Sequence, residues 1–201
     1  MQYPLLSTAY LPPIEYVAHI ANAGGAMLEQ YEHFVKQTFR NRAIILGANG
    51  PLPLIIPLKK GKNSQQVITE TEIDYSTNWQ RIHWQAIVSA YNSSPFFEFY
   101  ADDFVPFYKE QHQYLFEYNT MLLSILLRLL KVKAELHFTE EFIPPPVHNN
   151  DHRFQISPKE PNCYTGKNYR QVFSEKFDFQ PNLSAMDLLF NCGPKAGEYF
   201  I

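Results

Sequence analysis

The sequence predicts one α/β domain over residues 1–201: a mixed β-sheet started by a βαβ unit, with packed helices and a long flap near residues 144–168. Three observations predict it. An apolar run, a helical repeat and a second apolar run follow one another within the first 31 residues. Two short apolar runs then flank an Asn-Gly pair. From residue 79 to 130 apolar side chains recur mainly at i, i+3 and i+4.

Taken in order, residues 4–10 are apolar and strand-compatible, and Pro12 and Pro13 stop them. Ile14, Val17, Ala18 and Ala21 then repeat at helical spacing until Gly24 and Gly25 end the helix. Residues 26–31 resume as a strand, which a right-handed crossover makes parallel to the first. Residues 43–46 and 52–58 form a hairpin across Ala48-Asn49-Gly50-Pro51, its second strand held to an edge by Pro53 and Pro57. After a polar loop at 59–64, Val67, Thr69, Thr71 and Ile73 alternate as in a further strand.

Thr77 and Gln80 have capping-box spacing, and Trp79, Ile82, His83, Ala86, Ile87, Ala90 and Tyr91 form one helical stripe. Pro95 closes that helix; residues 96–108 read as another, interrupted near Pro106. Residues 115–130 make the longest helix, followed by a basic turn at 131–133 and a strand at 134–142. The polar stretch 144–168 is long for a compact domain and reads as the flap. Residues 169–173 read as a strand, and a last helix starts at a Ser184/Asp187 box and ends at Gly193.

Lys and Arg total 17 against 20 Asp and Glu, a net charge of −3, which lacks the concentrated basic surface that nucleic acid requires. The cysteines, Cys163 and Cys192, form no CxxC pair, and the opening MQYPLLSTAY lacks a signal-peptide pattern; both point to a cytoplasmic protein. The longest apolar run, residues 121–130, is broken by Arg128 and falls short of the ~20 residues of a membrane span. The expected partner is a small-molecule substrate, with oligomeric state unspecified. No GxSxG, GxxxxGKS or GxGxxG occurs, so hydrolase, P-loop and Rossmann classes are disfavoured and no cofactor is specified.

His148 and His152 have HxxxH spacing, but the flanking PPPVHNNDHRF is a loop, which removes the geometric meaning of that spacing, and no third ligand follows. Cys192 sits at a helix C-terminus, where the dipole disfavours thiolate. Two clusters remain. In KQTFRNR, Lys36, Arg40, Asn41 and Arg42 are either a solvated basic loop or a grip on phosphate or carboxylate. His83, on its helical stripe, is either a packed core residue or a general base.

AYLPPIEYVAHI, FRNRAII with LIIPL, WQRIHWQAIVSAYNSSPFF and YRQVF with NLSAMDLLFNCGP together resemble the WbqC-like protein family of bacteria, in order over nearly the whole chain. Pro12-Pro13-Ile14 resembles the Bacteroidetes type rather than the commoner QPxYFPW form, whose Gln and Trp are absent here. The resemblance implies a transferase of surface-polysaccharide (O-antigen-like) biosynthesis, with aminoacyl or glycyl transfer to a nucleotide-linked amino sugar. In that scheme Arg40, Arg42, Asn41 and Lys36 hold the diphosphate. His83 takes the amine proton, and Trp79, Trp84 or Tyr91 stacks on the ligand. The alternative is a non-catalytic nucleotide-sugar-binding or scaffold protein of a polysaccharide locus.

Overall fold

The computed structural model describes residues 3–59, 66–145, 150–160, 164 and 166–200. Strand β1 (Leu5–Ser7) and strand β2 (Gly25–Glu29) pair in parallel, joined by helix α1 (Ile14–Ala23), as the first 31 residues predict. Strand β5 (Glu135–Phe138) adds to the far side of β2, also parallel, giving the order β1-β2-β5. Gly24 adopts φ 70, so the left-handed turn that sends the chain from α1 into β2 falls on the residue that tolerates it. Gly25 is required for a different reason. A Cβ there would lie 2.7 Å from the Glu135 carbonyl on the neighbouring strand.

The hairpin forms as expected, β3 (Arg42–Gly47) against β4 (Gly50–Ile55), closing through Ala48 and Asn49 with Gly50 at φ 107. It does not extend the parallel sheet. It stands as a separate two-stranded sheet, because β3 and β4 pair as strands only with each other. Helices α2 (Trp79–Tyr91), α3 (Phe97–Lys109), α4 (Leu115–Leu129) and α5 (Ala185–Cys192) pack around the two sheets. One apolar core runs through all of them, with Tyr10, Ile45, Tyr91, Phe104, Tyr118 and Phe190 among its fully buried side chains.

Several expectations are corrected. Residues 67–73 hold a 3-10 turn (Ile68–Glu70) with single bridges from Val67 to His33 and from Ile73 to Leu58, not a strand. The Thr77/Gln80 box does not form. Asn78 is the N-cap, and Gln80 instead donates to the carbonyls of Phe107 and Glu110, tying α2 to the end of α3. Pro106 does not interrupt α3: it sits in the last turn, and the burial of Phe104, Phe107 and Tyr108 holds the helix through it. Strand β5 stops at Phe138 rather than 142, because the Thr139 hydroxyl turns to Glu29.

Residues 169–173 form no strand; Tyr169 and Gln171 are pinned instead by buried bonds to Asp187 and the Gln180 carbonyl. Helix α5 does begin at Ser184, whose hydroxyl accepts from the Met186 N–H, and Gly193 follows its end. Of the flap, residues 146–149, 161–163 and 165 lie outside the described residues, as do His148 and Cys163. The stretch 150–156 lies along β1, with Leu5 bonding to both Asn150 and His152.

Candidate functional site

The basic cluster 36–42 is split by the fold. On an extended chain Arg40 and Arg42 would share a side. Here residues 39–41 turn before β3 begins at Arg42, and the two guanidiniums part company.

Arg42 goes to a cleft of about 290 Å³. Lys36, Gln37 and Asn41 form its polar wall with Arg42, and Phe34 and residues 55–58 its apolar wall. Asn41 fixes the corner by backbone and side-chain bonds to Ile56, at 2.9 and 2.8 Å. Gln37 holds φ 60, a left-handed conformation costly for any residue but glycine. Among the described residues no carboxylate lines the cleft, and its two cations there give it a charge of +2. The Arg42 Nε is buried and has no hydrogen-bond partner among the described residues. Buried polar groups are nearly always paired, so an orphaned guanidinium nitrogen beside a cleft is a specific oddity.

Arg40 goes the other way. It is 2 % exposed and clamps Glu32 through Nε at 2.9 Å and Nη2 at 2.5 Å, with a further bond from Nη2 to the Ser7 hydroxyl. Beside it, the fully buried Glu29 carboxylate accepts from the Thr139 hydroxyl, the backbone N–H of Tyr31 and Ile143, and Arg153 Nη1. Arg153 also forks onto Asp151. This network occupies the carboxyl ends of β1 and β2. Such networks are a weak source of stability, since desolvation offsets the Coulomb attraction.

His83 is 4 % exposed. Its Nδ1 lies 3.0 Å from the Tyr10 hydroxyl, which in turn bonds Tyr108 at 2.9 Å, and the ring also engages the Ile55 main chain. Burial lowers its pKa to about 4, so the imidazole is neutral at pH 7. It therefore meets the cleft from behind, through Ile55, the cross-strand partner of Arg42. Trp79 and Tyr91 are buried in the core, Trp79 against His83 and Tyr118, Tyr91 against Phe190. Trp84, half-buried, packs on Phe97 and Tyr108. Lys36, Asn41 and Arg42 are thus brought together, His83 abuts them indirectly, and Arg40, Trp79, Trp84 and Tyr91 lie elsewhere.

The remaining chemistry is easily placed. Burial pushes the Cys192 thiol up to about 11, which leaves it protonated. His152 packs against His19 in a tilted pair with ring centroids 3.8 Å apart. Among the described residues no group of three or more His, Cys, Asp or Glu is placed to hold a metal, and no helix is long and apolar enough to cross a membrane. Sequence reasoning missed Phe34, Gln37 and residues 55–58 of the cleft, and it missed Glu29 and Glu32. The two acids in EQYE, directly after an apolar strand, were the available signal for a polar strand end.

The family model of the WbqC-like protein family matches residues 8–162, which start just after β1 and include the cleft, the buried network apart from Ser7, and helices α1 to α4. Uncharacterised protein Rv1507c of Mycobacterium tuberculosis is 25% identical over 221 residues, covering 97% of this chain and 95% of its own. No solved structure matches. The chain belongs to the WbqC-like protein family.

Proposed function

We propose that this protein binds a phosphate-bearing small molecule of the nucleotide-sugar kind in the β3–β4 cleft. Its work there is group transfer in bacterial surface-polysaccharide synthesis, of an acyl or aminoacyl unit to a linked amino sugar. The observation that carries the reading is the Arg42 guanidinium beside a carboxylate-free cleft that also holds Lys36 and Asn41. The apolar wall of Phe34 and Pro57 suits a ring carried next to the phosphate. In this arrangement His83 props Ile55 from behind, and Trp79, Trp84 and Tyr91 hold α2 against α4, α3 and α5. The chain acts in the cytoplasm, does not bind nucleic acid, and is a Bacteroidetes-type member of its family.

A second reading, a binding or scaffold protein without turnover, is favoured by one feature: among the described residues the cleft lining has no carboxylate, histidine or thiol to act as base or nucleophile. Isothermal titration with a uridine-diphosphate amino sugar tests both. Arg42→Ala should weaken binding about 10- to 100-fold, the range for a charge-assisted bond. Equal affinity in Arg42→Ala refutes the cleft assignment. Binding without turnover, across a panel of acyl and aminoacyl donors, supports the second reading over the first.

A further inference from the structure

Residues 39–42 divide two recesses that share no lining residue: Asn41 and Arg42 face the cleft, Phe39 and Arg40 the other. The Arg40 recess lies at the carboxyl ends of β1 and β2, the edge at which open parallel sheets take ligands. Ser7, Thr8, Tyr16 and Arg153 also line it, and its free volume of about 10 Å³ admits one atom the size of a water oxygen.

Two hydrogen-bond donors there are unspent. Arg40 uses Nε and Nη2 on Glu32 and Ser7, and its Nη1 bonds no described residue. Thr8 is 3 % exposed, and its hydroxyl likewise bonds no described residue. Neither atom is sealed inside protein, so both open on the recess their side chains line. Each therefore takes its acceptor from whatever enters the recess.

The charge around these donors selects the acceptor. Arg40 and Arg153 face Glu29, Glu32 and Asp151, which leaves one surplus negative charge. The two histidines nearby, His19 and His152, both have pKa values lowered by burial and add nothing at pH 7. An anion entering here would add to that surplus, whereas the cleft on the other side of residues 39–42 carries +2 and no acid. Two donors in a slightly negative surrounding suit an oxygen that is polar but uncharged. We infer that the Arg40 recess is a binding site for a neutral carbonyl group of the amide or ester class, its oxygen held by Arg40 Nη1 and the Thr8 hydroxyl. This assignment stands whether or not the cleft takes a nucleotide-sugar.

The test is a titration of the full chain with acetamide, read from the δ1 methyl NMR signal of Ile156, a lining residue. Wild type should show a saturable shift with acetamide and none with acetate. Thr8→Val, which keeps the side-chain shape, should weaken acetamide about fivefold, the loss of one neutral hydrogen bond. Thr8→Ser, which keeps the hydroxyl, should stay within about twofold of wild type by the same measure. A flat acetamide titration in wild type overturns the proposal. So does an acetate response as strong as that of acetamide, or wild-type affinity in a folded Thr8→Val.

Discussion

The buried imidazole of His83 makes stability depend on pH in a way that can be worked through. Its folded pKa is about 4, while an unfolded histidine titrates near 6.5. The folded state therefore binds fewer protons between these values, and stability rises with pH there. The contribution is complete above pH 6.5 and is lost as pH falls towards 4, reaching about 3 kcal/mol in full. By pH 5 one such group costs about 2 kcal/mol. The perturbation is His83→Leu, which cannot titrate. Leaving Tyr10 and Ile55 with one polar contact fewer lowers its stability at every pH by about 1–3 kcal/mol, but its pH dependence should be flatter. The assay is urea unfolding of both proteins at pH 7.5 and pH 5. The drop between the two pH values should be about 2 kcal/mol larger in wild type. A difference under about 0.5 kcal/mol would refute the argument, because His83 would then titrate normally and be open to solvent.

Asp187 works in the opposite direction: burial raises its pKa to about 6, so its contribution is present below pH 4 and lost as pH rises to 6, by about 3 kcal/mol. Asp187→Asn should therefore steepen the acid-side loss, seen as a larger fall in melting temperature between pH 6 and pH 4 than in wild type. Gly25→Ala forces a methyl to within 2.7 Å of the Glu135 carbonyl and should cost about 1–3 kcal/mol in the same denaturant assay. At Gln37, φ 60 sets a contrast: the β-branched Gln37→Val should lose about 1–2 kcal/mol, while Gln37→Gly should stay within about 1 kcal/mol of wild type.

The elements legible in the sequence are those whose signals are local. The β1-α1-β2 unit announces itself through Pro13, the apolar repeat and Gly24, and the hairpin through Asn49-Gly50, because each signal is a backbone preference within a few residues. What was illegible depends on distant partners. Gln80 has the spacing of a cap yet spends its amide on carbonyls 27 and 30 residues away. Asp187 reads as a cap residue but is turned inward by the Tyr169 hydroxyl. The site divides in the same way. Lys36, Asn41 and Arg42 could be read as one basic cluster, but the turn at residues 39–41 that sends Arg40 elsewhere has no glycine or proline to mark it.

The start of α1 shows what such distance means for synthesis. Pro13 leaves the helix without a capping side chain of its own, and residue 182 supplies one instead: the Asn182 side-chain oxygen accepts the Glu15 N–H at 2.8 Å, and its amide returns a bond to the Glu15 carboxylate. Leu183, Ser184 and Ala185 add backbone bonds to Ile14, Ile44 and Pro12. A chain growing from the ribosome thus carries its first helix with a ragged end until nearly all of it has emerged. The match to the family ends at residue 162, before this staple, so a fragment cut there would keep both recesses on paper and lose the residues that tie the start of α1 to β3. The natural unit of this fold is set by its last helix closing on its first.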